Sequence, residues 1–304
     1  MKGLTQMARN EIQLKSSYTR APNWFRGNLH THTTRSDGSR LPEEVIADYE
    51  ARGYDFLAIS DHDVLVELES YQKNTSMTLI HAVEVSARGP HILQVNATDR
   101  IDPKADRGWV VDEINKQEAV CVLNHPNWGT NFNHFPHELL ESLEGAHGIE
   151  IYNGVIERLA GSPFATDRWD RLLTKGRTVW GFAHDDSHIP TDVELAWNVV
   201  QAENCTVDEI IAGLKAGSFY ASTGVTINSV ETEGTTIRVE TEDAQRIRFI
   251  SRSGVLRATV DAAEATYALP EDRDEALRLG YIRAECYGAG GRVAWTQPIF
   301  VETS

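Results

Sequence analysis

The stretch Asn28-Leu29-His30-Thr31-His32-Thr33-Thr34-Arg35-Ser36-Asp37-Gly38, answered further on by Ser60-Asp61-His62-Asp63, decides how the chain is read. Residues 26–32 read as a short strand. Side chains two apart on a strand share a face, so His30 and His32 point the same way. Two imidazoles side by side at a strand end, with an acid a few residues on, suit a divalent transition metal. A bare His-x-His also arises on ordinary polar strand faces, so the reading rests on what surrounds it.

Downstream, one rhythm repeats. Pro42, the four-residue spacing of Leu41, Val45 and Tyr49, and Gly53 as a stop predict a helix. Phe56-Leu57-Ala58-Ile59 is the continuous apolar run of a strand buried on both faces, and it ends at Ser60-Asp61-His62. Residues 79–85 read as a strand carrying Glu84, and 92–95 as another with His91 at its start. A helix over 105–118 leads into a strand over 120–123, which ends at Asn124-His125-Pro126. A strand over 149–152 and a helix over 166–174, stopped by Gly176, follow. The next strand, 179–182, ends at Ala183-His184-Asp185-Asp186-Ser187-His188. The capping-box-like Thr206-Val207-Asp208-Glu209 opens a last helix ending near Gly217. This alternation predicts a parallel sheet, open or closed into a barrel, with its chemistry at the carboxyl ends of the strands. A polar cluster follows the apolar run at each of these ends.

A length of 304 residues allows one large domain, or one of about 200 residues with a small companion. With 41% apolar and 24% charged residues, a disordered chain is excluded. The net charge of −16 argues against a nucleic acid duplex as partner. An anionic small-molecule substrate is still compatible with it, since three divalent ions would add roughly +6 locally. Three dispersed cysteines form neither a disulfide framework nor a Cys-based zinc site. The first 25 residues lack an apolar core, so no signal peptide is expected, and no run approaches the ~20 apolar residues of a membrane span. A cytoplasmic location is the expectation; homo-oligomerisation is left open.

Near Gly224 the texture changes. Residues 236–239, 246–249 and 281–286 alternate polar and apolar between turn-rich pieces such as Glu233-Gly234 and Gly288-Ala289-Gly290-Gly291, which suggests an antiparallel sandwich. This part has no histidine and is expected to give structural support or a dimer contact. The expected organisation is a lead-in over 1–24, a metal-dependent hydrolase barrel over 25–224 and a β-rich domain over 225–304.

Six of the eleven histidines fall at predicted strand ends with three carboxylates, in the order His30, His32, Asp37, His62, Glu84, His91, His125, Asp186, His188. In this set the chain resembles the PHP (polymerase and histidinol phosphatase) family of metal-dependent phosphoesterases, over roughly residues 25–224. The resemblance implies an α/β fold, a distorted seven-stranded (β/α) barrel, here followed by a small β-sandwich-like domain. It also implies two or three divalent ions, Zn, Mn or Fe. His30, His32, Glu84 and Asp186 would hold the first; Glu84 would bridge to a second held by His91 and His125; Asp37, His62 and His188 would hold the third. The β-rich extension and the segments Ala221-Ser222-Thr223-Gly224 and Ala294-Trp295-Thr296-Gln297-Pro298 look like the carbaryl-hydrolase-like branch.

On that basis Glu84 and its neighbours would hold ions that supply an activated hydroxide, expected to attack a phosphate mono- or diester. Asp186 shares the catalytic work. Asp61, beside His62 and unable to face the centre with it, is expected to orient from behind, and His184, two before Asp186, to face the site. Arg35 is the candidate for gripping a phosphate oxygen. Asn127, Trp128, Tyr152 and Asn153 follow ligand-bearing or buried strands and are expected to shape the pocket. His81, His134, His137 and His147 are expected to be surface or structural residues. A carbamate or carboxylic ester hydrolase using the same ions is the alternative. An eight-stranded amidohydrolase barrel fits less well, because Glu84 stands where a carbamylated lysine would, and about 160 residues from His30 to His188 are few for eight units of ~30 residues. A module that has lost its activity is disfavoured because no ligand is missing.

Overall fold

The computed structural model describes residues 12–19 and 21–303. The first eleven residues of the expected lead-in lie outside the described residues. The lead-in's next piece, β1 (Ile12–Lys15), pairs antiparallel with β18 (Ile299–Thr303).

The sheet that carries the site runs β2 (Asn23–Asn28), β3 (Phe56–Ile59), β4 (Thr78–Val85), β5 (Ile92–Val95), β6 (Val120–Leu123), β7 (Gly148–Asn153), β8 (Trp180–His184). Helices α1 (Pro42–Ala51), α2 (Glu69–Gln72), α3 (Arg107–Lys116), α4 (His137–Ser142) and α5 (Thr166–Thr174) lie in the connections. The pairs β2–β3, β3–β4, β6–β7 and β7–β8 are parallel, as the alternation predicts. β5 departs from it, running antiparallel to both β4 and β6. Only residues 86–91 join β4 to β5, and a parallel crossover needs a dozen residues or more.

The inner face follows period two. Phe56, Ala58, Ile80, Ala82, Leu93, Val95, Val120, Val122 and Phe182 pack in one buried cluster. Their outward neighbours Leu57 and Ile59 pack instead on Val45, Ile46 and Tyr49 of α1. Continuing the same parity to the strand ends turns Glu84, His91, Asn124, Glu150, His184 and Asp186 inward. An apolar plug therefore lies under a polar layer.

The seam of the sheet lies between its first and last strands. Over Asn23–Gly27, β2 pairs antiparallel with β9 (Trp197–Ala202). Past Asn28 the chain meets the end of β8 directly: the Asp186 amide donates to the His30 carbonyl at 3.1 Å, and the His32 amide to the Ser187 carbonyl at 2.9 Å. Residues 26–32 are thus a strand only to Asn28, followed by an extended piece whose amides are held by Asn28 and Ser60 side chains.

α6 (Val207–Ala216) has the expected caps: Thr206 accepts the Glu209 amide, and Gly217 is left-handed. It leads into β10 (Phe219–Ser222), which pairs with β9 and with β17 (Val293–Thr296). That pairing sets Ala221 opposite Trp295. The remaining strands are β11 (Ile227–Glu233), β12 (Thr236–Thr241), β13 (Arg246–Ser251), β14 (Val255–Val260), β15 (Glu264–Ala268) and β16 (Tyr281–Tyr287), with α7 (Arg273–Leu279) before β16. All their pairings are antiparallel. β13, β14, β16, β17 and β18 extend the large sheet, while β11, β12 and β15 form a small second one. Ile237 and Val239 of the small sheet share a core with Ile247, Phe249 and Ile282 of the large one. Among the described residues, no helix is long and apolar enough to cross a membrane.

Candidate metal centre

The nine expected side chains converge at one end of the inner strands, the carboxyl end of each except the antiparallel β5. His30 and His32 come from the extension of β2, with ring centroids 5.1 Å apart. Glu84 ends β4, His91 precedes β5 and His125 follows β6. Asp186 and His188 follow β8, while Asp37 and His62 come from the loops after β2 and β3.

Glu84 is the hub. Its Oε1 lies 3.2 Å from His30 Nε2, 3.1 Å from His91 Nδ1 and 3.1 Å from His125 Nε2. Its Oε2 lies 3.5 Å from His32 Nε2 and 2.7 Å from His62 Nδ1. Asp186 Oδ1 is 3.2 Å from His30 Nε2 and 3.0 Å from His32 Nε2. Asp37, with 56% of its side chain exposed, sits 3.5 Å from His62 and 3.4 Å from His188 at the mouth. His32 joins this outer group, its ring stacked on that of His188.

These atoms fit shared cations better than they fit one another. His30 Nε2, His32 Nε2, His62 Nδ1, Glu84 Oε2 and Asp186 Oδ1 are buried and, among the described residues, have no aligned hydrogen-bond partner. Donors on a tetrahedral ion with bonds of ~2.1 Å stand roughly 3.4 Å apart, close to most of these separations. The set is imidazole and carboxylate without thiolate, a chemistry that accepts Zn, Mn or Fe.

Electrostatics agree. Burial disfavours charge on His30, yet the Asp186, Glu84 and Glu150 carboxylates raise its pKa well above the imidazole value. Burial likewise opposes ionised Glu84 and Asp186, but the surrounding imidazoles hold both well below the usual carboxylate range. His62, desolvated but flanked by Asp37 and Glu84, is pushed up to about 10. Without ions, His30 and His62 are held as imidazoliums beside ionised carboxylates, while burial lowers the pKa of His32 below the free imidazole value.

A residue that sequence reasoning missed holds the candidate ligands from behind. Glu150 is 1% exposed on the inner face of β7. Its Oε1 accepts from His30 Nδ1 and from His184 Nδ1, each at 2.7 Å. Its Oε2 accepts from the His125 amide at 2.6 Å and from Asn153 Nδ2 at 2.9 Å. A carboxylate only accepts, so His30 holds a proton on Nδ1, and Nε2 is the nitrogen left to face the cluster. The signal was a lone acid inside the apolar run Ile149-Glu150-Ile151. Two further candidate ligands are held in the left-handed region, His125 at φ 31° and Asp186 at φ 54°. Such strain persists where the surroundings over-determine it.

The other expected residues fall around this centre. Asp61 accepts from Thr33 (amide and hydroxyl) and from the Ser36 hydroxyl, so it fixes the 33–36 loop and touches no ligand imidazole. His184 is fully buried behind Glu150 and does not face the cleft. Asn153 also lies beneath, its amide reaching Glu150 and Asp186. Asn127 is spent on the Phe164 carbonyl, Asp167 and Arg168. Arg35 is turned outward toward the Tyr71 hydroxyl, 3.5 Å away, because Asp61 pins its loop the other way. Tyr152 donates to Glu157. His81, His137 and His147 make local bonds to the Leu68 amide, Arg168 and the Cys121 amide. His134 stands closer than expected: its Nε2 accepts the His91 amide at 2.9 Å, and its ring packs on His125. Burial pushes its pKa down to about 2, so it is neutral there.

A cleft of about 270 Å³ opens over the centre. It is lined by Asp37, His62, Glu84, His91, His125, Asp186 and His188 together with Trp128, Val155, Ile156, Arg158 and Leu159. Of the expected substrate-binding residues, Trp128 lines it.

No family model matches the chain. A 5′-3′ exoribonuclease of Haemophilus influenzae is 38% identical over 84 residues, which are 25% of this chain and 30% of that protein. The chain thus spans less than a third of that relative's length. Among solved structures, it is similar to a two-domain protein from Bacteroides vulgatus described as containing a predicted PHP-like metal-dependent phosphoesterase. That match has 18% identity and a TM-score of 0.54, over 98% of this chain and 92% of the other. An amidohydrolase from Chromobacterium violaceum with bound sulfate matches 54% of this chain and 88% of its own, with 15% identity and a TM-score of 0.41. At these identities the first structural likeness is one of fold, a mixed α/β architecture shared with a PHP-like protein over nearly the whole chain.

Proposed function

We propose that the chain is a metal-dependent hydrolase of the PHP type, acting on a small, anionic phosphate mono- or diester in the cytoplasm. The observation that carries this is the convergence of buried imidazole and carboxylate atoms, unpartnered among the described residues, around one shared carboxylate, Glu84. Two or three divalent ions held there supply Lewis acidity toward the ester and lower the pKa of water toward neutrality. The protein's own part is positional. Glu150 sets the His30 tautomer, Asn153 steadies Asp186, and Asp61 fixes the loop that carries Asp37. Trp128 closes one side of the cleft. In this reading residues 25–224 do the chemistry and 225–304 support it.

The name of the Haemophilus relative, an enzyme that cleaves phosphodiesters, supports the phosphoester choice. The finer placement in the carbaryl-hydrolase-like branch rests on the paired segments around Ala221 and Trp295. The test strips the protein of metal, reloads it with Zn, Mn or Fe, and assays aryl phosphate mono- and diesters beside an aryl carbamate. Metal-dependent phosphoester turnover is expected. Turnover of the carbamate alone overturns the phosphoesterase reading.

A further inference from the structure

Beside the candidate ligands, the cleft lining includes Trp128, Val155, Ile156, Leu159 and one further charged residue, Arg158. Its guanidinium is already held: Nε and Nη2 donate to the two oxygens of Asp192 at 2.8 and 2.7 Å. Asp192 is 1% exposed and also accepts the His188 and Ile189 amides at 3.0 and 3.1 Å. Arg158 is therefore fixed relative to a ligand loop, with Nη1 free of hydrogen bonds among the described residues. A planar fork held this way on one edge still offers donors on the other.

The rest of this lining is apolar: Val155 and Ile156 stand on a 3-10 turn over Gly154–Arg158, and Trp128 is held by a short ribbon. The Gly129 amide donates to the Ala160 carbonyl at 2.8 Å and the Ser162 amide to the Asn127 carbonyl at 3.1 Å. A β-bridge joins Trp128 to Gly161. Gly161 (φ 126°) is needed there, since a Cβ would meet the Asn127 carbonyl oxygen at 2.5 Å. The ribbon holds the Trp128 ring 5.2 Å from that of His125. In the neighbouring segments Phe132, Leu159 and Phe164 are each more than 40% exposed, and Leu159 also lines the cleft.

Resting on the phosphoesterase reading, we infer that the cleft selects an ester that is anionic at its reacting end and flat and apolar beside it. Arg158 reads the anion and Trp128 is the surface on which the flat group packs. The volume of about 270 Å³ suits a phosphoryl group and one ring system, so a longer ligand presents only its end. The flat group is an aryl ring or a nucleobase, which share the stacking chemistry.

The test titrates the full-length, metal-loaded protein with unhydrolysable phosphonates, by calorimetry: methylphosphonate, phenylphosphonate and a nucleoside methylenephosphonate. Phenylphosphonate is expected to bind at least about tenfold tighter than methylphosphonate. Arg158→Ala weakens both by about tenfold or more, the loss expected for a charged hydrogen bond, with metal content unchanged. Trp128→Leu erases the phenyl advantage and leaves methylphosphonate binding within about twofold. Should Arg158→Ala fail to load metal, Arg158→Gln, which keeps a donor to Asp192, takes its place with the same expected loss. A nucleoside phosphonate tighter than the phenyl one identifies a nucleobase, the reverse an aryl group; both support the inference. If wild type binds the phosphonates and the Arg158 variants bind them equally well, the inference falls while the phosphoesterase reading stands. If loaded wild type binds none of them, that reading falls and takes the inference with it.

Discussion

Replacing Glu150 tests whether the centre is held from behind as the geometry implies. Its carboxylate accepts four hydrogen bonds from buried donors: His30, His184, the His125 amide and Asn153. Glu150→Ala strands all four, and a buried unsatisfied donor costs about 1–3 kcal/mol. Neighbouring losses are not additive, so a total of about 3–5 kcal/mol is the reasonable expectation, a large part of the ~5–15 kcal/mol that stabilises a domain. Glu150→Gln is the sharper variant. Its carbonyl oxygen can still accept from His30 and His184, but its NH2 then faces two donors, the His125 amide and Asn153. That mismatch is worth about 2–4 kcal/mol, and weakening the group behind a metal-bound histidine typically costs about 10–100-fold in metal affinity. The assay is metal content after equilibration against graded chelator, with thermal denaturation of the metal-free protein run alongside. A Glu150→Gln protein with metal affinity within twofold of wild type and an unshifted Tm would refute the argument.

Other expectations follow from the same contacts. Glu84→Ala, which removes the carboxylate common to five imidazoles, should abolish turnover and cut metal content; normal occupancy with full activity would exclude Glu84 as the hub. Because the metal-free pKa of His62 is about 10, loading ions near pH 7 must expel its proton, so affinity should climb with pH and weaken as pH falls. Calorimetry in buffers of different ionisation enthalpy reads the protons released, and zero release contradicts this. The same raised pKa stabilises the metal-free fold fully below about 6.5, and that contribution is lost as pH rises through about 10; a metal-free Tm that rises over this window would contradict it. Away from the centre, buried Arg283 pairs with Asp170 of α5 at 2.7 Å and with Glu285 at 2.7 Å. Arg283→Met should destabilise by about 3–5 kcal/mol, since two carboxylates are left buried without a cation, while metal content holds. A Tm within 1–2 °C of wild type would show that the network contributes little.

What could be read from the sequence depended on where a residue stood relative to an apolar run. Most of the candidate ligands stand immediately after such runs or in the loops they open; Glu84 stands inside one and was singled out by the family resemblance. Glu150 stands inside one and passed as part of a core strand, although period two puts it on the same face as the polar ends of its neighbours. Arg35 and Arg158 show the limit of proximity in sequence. Arg35 is two residues from Asp37 yet turns away, because Asp61 fixes its loop. Arg158, far from any ligand in sequence, is brought to the cleft through Asp192. The direction of β5 was legible in principle from the six residues before it, but the rhythm of alternating elements overrode that count. In the C-terminal part, alternation marked strands, while their partners were set by packing between distant segments such as β10 and β17. α7 had its own signal, Asp272 accepting the Glu275 amide and Gly280 beyond the last turn, and was missed amid strand-like neighbours.

The position of the centre follows from how the sheet closes. Where β2 stops pairing with β9, its continuation reaches the end of β8 through just two backbone bonds, Asp186 to His30 and His32 to Ser187. Such a junction is weak by sheet standards, and it lies between the side chains expected to bind metal: His30 and His32 on one side, Asp186 and His188 on the other. A cation shared across it would cross-link the first and last strands of the barrel at the point where backbone pairing is thinnest. Binding free energy of that kind is also folding free energy. The strained backbone at Asp186 fits the same account, because a left-handed residue can turn its carboxylate back into the seam while its amide still closes it. The geometry that brings the candidate metal-binding side chains together is therefore the geometry that closes the barrel, and a substitution that loosens one should loosen the other.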